Sequence, residues 1–266
     1  MPTHLEVPVF SPASAIPAIA AGAARIELNA AGSYPAGGLT PSVEDAAQLK
    51  DVQVPVRVMI RPRGPPGEKG QRDFLYSSEE IAGMARSIEA FKESGAMRAE
   101  RGDGFVFGTL SAVGTEGGGG GSKVVLQAET MQRLVAAARP YKTVFHRAFD
   151  DIVGCDDSSA EDGVTEWGKT LELLIQMGVD GILTSGGPGN ASQNIATLSE
   201  IMTMAGDSIE IIAGGRVRSA NVGELCSQLN MERGGGRTSW VHSSCLTGGK
   251  DEVNVAEVQA IMGEIR

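Results

Sequence analysis

His146, Glu27, Asp150 and His242 are the residues of this chain best suited to move protons. An imidazole and a carboxylate within hydrogen-bond reach can divide the work of general acid and base. Arg61 and Arg63 offer two guanidinium forks that match the geometry of a carboxylate or phosphate. Three small or glycine-rich turns add backbone donors: Thr184-Ser185-Gly186-Gly187, Ala213-Gly214-Gly215 and His242-Ser243-Ser244. Glycine lets an N–H approach an anion closely, although any one such turn is ordinary chain reversal. What points to a site is that all three follow strand-like runs. This set describes an enzyme acting on a small anionic metabolite, phosphorylated or not. Arg61 and Arg63 hold the anion, His146 is the general acid or base, and Glu27 or Asp150 orients it or acts as its counterpart. Isomerisation, aldol-type cleavage and hydrolysis all fit. No lysine stands at a strand end, which speaks against a Schiff-base aldolase.

The elements that must position these residues alternate along the chain. Short β-branched runs near 5–10, 25–29, 54–60, 104–110, 143–149, 181–184, 209–213 and 239–243 are followed by helical patterns near 12–22, 41–51, 78–94, 127–138, 164–177, 190–205, 219–229 and 252–265. Ile81, Met84, Ala85, Ile88 and Phe91 fall on one helical face. Ser77 with Glu80 reads as a capping box, as more weakly does Asn190 with Gln193. Thr40 before Pro41 reads as an N-cap with proline at the first helical position. Eight βα units in 266 residues predict one (βα)8 barrel domain over 1–266. An open doubly wound sheet would carry a glycine fingerprint after its first strand, and Ser11-Pro12-Ala13 is not one. Stretches near 64–72, 116–122, 151–163 and 231–237 read as surface insertions.

In a barrel, strand residues alternate between the interior and the helices. Leu5, Val7 and Val9 face the helices and leave Glu6, Pro8 and Phe10 inside. Ile26 and Leu28 leave Arg25, Glu27 and Asn29; Val56, Val58 and Ile60 leave Arg57, Met59 and Arg61. Phe145 and Phe149 leave Val144, His146, Ala148 and Asp150, and Val241 leaves Trp240 and His242. An ordinary barrel interior is layered Val, Ile and Leu, and buried charge is costly unless paired. Glu6 and Arg57 lie low in their strands, where a structural network and a functional role both remain open. Glu27, Arg61, His146, Asp150 and His242 lie at the C-terminal strand ends, where barrel active sites are built. Arg147 breaks the outward apolar pattern.

Composition limits the partners. A net charge of −10 and a pI of about 4.9 argue against general affinity for nucleic acid or an anionic membrane face. No apolar stretch is long enough to span a bilayer. Cys155, Cys226 and Cys245 form no C-x-x-C pair, so reduced thiols in the cytoplasm are expected. Met202 and Met204, two apart on a helix, do not share a face and read as core or surface residues.

Several segments resemble the CutC family of copper homeostasis proteins: Arg25-Ile-Glu-Leu-Asn29, Gly37-Gly-Leu-Thr-Pro-Ser42, Met59-Ile-Arg-Pro-Arg-Gly64, Asp73-Phe-Leu-Tyr-Ser77, Thr143-Val-Phe-His-Arg-Ala-Phe-Asp150, Leu183-Thr-Ser-Gly186 and Val241-His-Ser-Ser244. The resemblance runs from the first strand to the last. It implies a cytosolic (βα)8 barrel, a homo-oligomer, linked to copper tolerance and proposed to bind Cu(I), with no established reaction. Its mouth residues carried over here are Glu27, Arg61, Arg63, Asp73, His146, Arg147, Asp150, Thr184, Ser185, Gly186, His242 and Ser243. Many relatives carry cysteine where this chain has Pro8 and Asn29. Cu(I) prefers soft sulfur, so copper binding at the mouth is expected to be weak here. A harder ion at Glu27, His146, Asp150 and His242 is conceivable, but no ligand spacing identifies one. A former enzyme kept as an interaction scaffold is a third reading.

Overall fold

The structure is a computed structural model that describes residues 3–67, 72–114, 123–155, 165–231, 238–247 and 251–265. The strands are β1 (Thr3–Val9), β2 (Arg25–Leu28), β3 (Val56–Met59), β4 (Gly104–Phe107), β5 (Leu110–Val113), β6 (Lys123–Leu126), β7 (Lys142–Phe145), β8 (Gly181–Thr184), β9 (Glu210–Ala213) and β10 (Ser239–His242). Eight of them close a parallel barrel in the order β1-β10-β9-β8-β7-β4-β3-β2, while β5 and β6 pair antiparallel outside it. The helices that cover the barrel are α1 (Pro12–Ala20), α2 (Val43–Ala47), α3 (Ser78–Glu93), α4 (Ala128–Ala138), α5 (Ala148–Val153), α6 (Glu166–Gln176), α7 (Ile195–Ala205), α8 (Ser219–Gln228) and α9 (Val255–Glu264).

Strand parity divides the apolar residues into two cores. Leu5, Val7, Ile26, Leu28, Val58, Phe105, Phe145, Ile182 and Val241 pack between strands and helices. Met59, Val106, Val144, Leu183 and Ile212, with Trp240 against them, form a separate small cluster inside the barrel. That cluster fills only part of the interior. The rest is polar: Glu6 aligns with both Arg25 and His242 across neighbouring strands, and Glu27 aligns with Arg57.

The members of the charged interior meet one another. Arg25 is 2% exposed; its Nε pairs with Glu6, its Nη1 lies 2.8 Å from Glu210 Oε1, and its guanidinium stacks 3.7 Å over the Trp240 ring. A buried pair of this kind returns its desolvation cost only through close geometry and extra hydrogen bonds. Arg57 reaches the Gly102 carbonyl, and burial followed by the neighbouring charge of Arg25 pushes it down to about 10.

Local expectations fare unevenly. The Ser77–Glu80 capping box starts α3 as expected. The expected helix over 41–51 begins instead at Val43, capped by Ser42, whose Oγ accepts from the Asp45 amide. Thr40 cannot cap because its hydroxyl is tied to the Arg61 backbone, accepting from N at 2.8 Å and donating to O at 3.1 Å. The 190–205 helix divides into a 3-10 turn at Ala191–Gln193, which carries the Asn190–Gln193 box, and α7. The strand expected over 104–110 stops at Phe107, and β5 and β6 form a hairpin that periodicity did not reveal. The strand expected over 143–149 stops at Phe145. Ala148 therefore opens α5 and packs in the outer core, a correction to its expected inward place. Of the expected insertions, 116–122 lies outside the described residues, as do 68–71, 156–163 and 232–237 of the others. No helix among the described residues is long and apolar enough to cross a membrane.

Replacing Arg25 with Met keeps its apolar stem but leaves Glu6 and Glu210 without their shared cation. Urea unfolding is expected to show a loss of about 3–5 kcal/mol, the cost of breaking a buried pair from one side.

Candidate functional site

The C-terminal strand ends open onto a cavity of about 480 Å³. Glu27, Met59, Arg61, Asp73, His146, Arg147, Asp150, Asp151 and His242 all contribute to its wall. Glu27, Arg61, His146 and His242 thus converge at one mouth, as the parity argument requires. Arg63 is not among the described wall residues, and Thr184, Ser185, Gly186 and Gly214 stand behind the wall.

His242 is held from below. Its Nδ1 lies 2.7 Å from Glu6 Oε1, and the other oxygen of Glu6 takes Arg25. Burial works against a charged Glu6, yet the Arg25 charge and the His242 hydrogen bond hold its carboxyl down at about 2. Burial likewise works against a charged His242, but the Glu6 hydrogen bond and the nearby Glu27 charge raise it above its ordinary 6.5. Glu27 is 3% exposed, and burial raises its carboxyl above the ordinary range. Asn29 Nδ2 donates to Glu27 Oε1 at 3.1 Å, while Oε2 has no hydrogen-bond partner among the described residues. Donor atoms of Glu6, Glu27 and His242 lie within 4.8 Å of one another. That set is carboxylate and imidazole, the chemistry of a borderline or hard divalent ion and not of Cu(I). Two of its groups are already engaged, Glu6 with Arg25 and His242 with Glu6.

His146 is arranged differently. Its Nδ1 accepts from the Ala148 amide at 3.2 Å, so a neutral ring carries its proton on Nε2, which has no partner among the described residues. Phe74 packs 4.6 Å from it, centroid to centroid. Burial, then the charge of Arg61, pushes it down to about 3. A ring with that value is neutral near pH 7 and offers Nε2–H as a hydrogen-bond donor.

Most of the other expected residues bind the walls together. Arg61, 3% exposed, donates to Asp73 Oδ2 at 2.6 Å, to Gly38 O at 2.9 Å and to Ala36 O, tying two loops to the end of β3. Gly38 has φ +91°, and a Cβ there would stand 2.1 Å from Asn29 Oδ1, so only glycine lets this loop reach Arg61. Arg63 turns away to Glu80 Oε1 at 2.7 Å and Leu75 O at 2.6 Å, joining the α3 capping box. The Asp150 carboxylate accepts from Thr184 Oγ1 (2.6 Å), the Ser185 amide (2.9 Å), Ser185 Oγ (3.0 Å) and Arg147 Nε (2.5 Å). It thereby fixes the turn after β8, where Gly186 N also donates to Thr184 Oγ1. Arg147, unexplained by strand parity, lies at the N-terminal end of α5 and bridges Asp150 to Ser185 Oγ at 2.7 Å. Gly214 and Gly215 keep the turn after β9 tight: a Cβ on either would come within 2.7 Å of Leu183 or Ser185. Ser243 Oγ donates to Val217 O at 2.7 Å.

Sequence reasoning passed over Glu6, Asp151, Arg216 and Arg218. Inward parity marked Glu6, but its low position argued as well for structure as for function. Burial pushes Asp151 up to about 6, at the rim of the cavity. Nothing in the alternation marks Asp151 or the two arginines, which belong to α5 and to a loop.

A closed parallel barrel of eight strands with helices around it, its C-terminal mouth lined by carboxylates, arginines and imidazoles, is a protein of the TIM-barrel class. The CutC family profile matches residues 3–239. A Bacteroides thetaiotaomicron relative described as a family protein CutC is 34% identical over 86% of this chain and 78% of its own length. A Caenorhabditis elegans relative described as a copper homeostasis protein cutC homolog is 30% identical over 93% of this chain and 82% of its own length. The chain belongs to the CutC family. A crystal structure of the putative copper homeostasis protein CutC from Streptococcus agalactiae shares the fold, with TM-score 0.70 at 23% identity over 92% of this chain and 99% of that one.

The His146 and His242 imidazoles should separate in an NMR pH titration. His242 is expected to titrate above 6.5, and Glu6→Gln should move it down. His146 should stay neutral until the pH falls to about 3. The signs for stability follow: the raised His242 contributes stability below 6.5 that is lost as pH rises through its folded value, and Glu6 contributes stability above 4.5 that is lost as pH falls toward 2. A His146 midpoint near 6.5 would contradict the burial of that ring.

Proposed function

We propose that this CutC family member serves copper homeostasis through small-ligand chemistry at its barrel mouth, and not by holding Cu(I) on cysteine. The copper link rests on family membership. The observation that carries the mouth chemistry is the pairing of Glu27, buried with an unpartnered oxygen, and His242, which Glu6 supports from below. Two titratable groups set side by side in a cavity, each shifted upward from its ordinary value by its surroundings, are suited to pass a proton to and from a bound molecule. A small anionic ligand is the class this reading proposes, met by the arginines among the residues that line the mouth. The reaction class is proton transfer, within which isomerisation and hydrolysis both remain open.

The thiols do not fit a Cu(I) centre at the mouth. Cys226 and Cys245 are buried in the core between strands and helices, and Cys155 packs against the same core after α5. Burial pushes the Cys245 thiol up to about 11, away from the thiolate that a metal needs. The described wall of the main cavity offers one sulfur, the Met59 thioether. Pro8 and Asn29 stand where many relatives have cysteine. The cysteines form no disulfide, which supports a reducing, cytoplasmic setting.

Two experiments test this reading. In competition with a strong Cu(I) chelator the protein should lose Cu(I) readily, and replacing Cys155, Cys226 and Cys245 with Ala should not change that; tight stoichiometric binding would contradict it. In cells sensitised to copper by loss of their own CutC, the wild type and the cysteine-free variant should restore tolerance, while Glu27→Gln and His242→Asn should not. Restoration by Glu27→Gln together with failure of the folded cysteine-free variant would overturn the proposal.

A further inference from the structure

We propose that the mouth has a second lobe, built on Arg216 and Arg218, that binds the phosphate of a small phosphomonoester whose body extends past Glu27 and His242 into the main cavity. This rests on the reading of the mouth as a small-anion site and names its ligand class. The lobe has a volume of about 250 Å³ and lies between the loops after β9 and β10. Glu27, Gly37, Arg147 and His242 line both it and the main cavity, so the two form one elongated space.

The case starts from charge. The other arginines of the mouth are neutralised, Arg61 by Asp73 and Arg147 by Asp150. Neither Arg216 nor Arg218 pairs with a carboxylate among the described residues. Arg218 is held in place without being neutralised: Nη1 donates to Val217 O at 2.7 Å and to Ser243 Oγ at 3.2 Å, and Nη2 to Ser244 Oγ at 3.1 Å. Ser244 accepts that bond and keeps its hydroxyl hydrogen to donate. In a chain of net charge −10, two uncompensated guanidinium groups at one end of a cavity concentrate positive potential where an anion would enter.

The backbone is shaped for the same task. Gly215 has φ +93° and Arg216 φ +57°, so two successive residues adopt the left-handed region. A non-glycine residue there is strained, and such positions gather at ligand sites where surrounding structure enforces them. Here the enforcement is visible. Gly215 O accepts from the Ala191 amide, and a Cβ on Gly215 would stand 2.7 Å from Ser185 Cβ. The loop is thus fixed against the Asp150-clamped turn after β8. A tetrahedral phosphate presents three terminal oxygens to two forks and a hydroxyl, more acceptor positions than a carboxylate offers. The lobe also sits at the seventh and eighth barrel strands, where this architecture commonly seats phosphate.

The test is thermal denaturation of the full chain at constant ionic strength with inorganic phosphate, with acetate as the carboxylate control and chloride as the baseline. Phosphate should raise Tm in a dose-dependent way by mass action, and acetate should do little. Arg218→Met should weaken the phosphate effect at least tenfold, Arg216→Met should weaken it, and Arg218→Lys should fall between, keeping charge but losing the fork. Should Arg218→Met fold poorly, Ser244→Ala reports on the same lobe. Phosphate stabilisation that is unchanged in Arg218→Met and Ser244→Ala overturns the lobe and leaves the anion reading of the mouth standing, and loss of that stabilisation in Arg61→Met would then place the anion beside Arg61. No stabilisation of the wild type by either anion overturns both.

Discussion

Arg25 sits charged inside a barrel, and the rest of the site follows from how that charge is met. Glu6 and Glu210 meet it as anions and Trp240 as an aromatic face. Because Glu6 is thereby fixed as a carboxylate, it can take His242 with its second oxygen and favour the imidazolium. Glu27, one step further up, is left with burial unrelieved on one oxygen. The network is stable at its base and unfinished at its top. A buried carboxylate oxygen with no protein partner beside a cavity calls for a partner of another kind, a water, an ion or a group of a ligand.

The inward and outward faces were legible because they depend on alternation alone. The period of two in β1, β2 and β3 separates Leu5, Ile26 and Val58 from Glu6, Glu27 and Arg57 without knowledge of any partner. Elements that depend on a distant partner were not legible. Thr40 looks like a helix cap until Arg61, 21 residues on, claims its hydroxyl. Asp150 looks like a strand-end acid until Thr184, Ser185 and Arg147 together supply four donors to it. Arg61 looks like an anion grip until Asp73 and two carbonyls occupy it. In each case a partner distant in sequence gives the residue a bond within the structure that its own position could not announce. Arg218 shows the converse: it lies in a loop with no period to mark it, and its interest lies in having no carboxylate partner among the described residues.

Family membership connects the chain to copper, and the placement of its sulfur argues against the simplest form of that connection. Cu(I) selects thiolates, and here the cysteines pack under helices while carboxylates and imidazoles face the mouth. A barrel can keep its architecture while the groups at its strand ends change, so the fold carries less information about chemistry than those few residues do. The mouth is therefore the part of the molecule on which any copper-related role must be argued.

The central claim is that Glu27 is held at the mouth for a ligand and at a cost to folding, unlike Glu6, whose charge holds the barrel together. The most direct measurement is the free energy of urea unfolding of Glu27→Gln against the wild type from pH 4 to pH 8. Burial raises Glu27 above its ordinary 4.5, so its ionisation weakens the folded wild type as pH rises, and the glutamine variant escapes that loss. The account predicts that the stability difference moves in favour of the variant with increasing pH. A variant that becomes progressively less stable than the wild type over the same range would show Glu27 to be a structural ion and contradict the account.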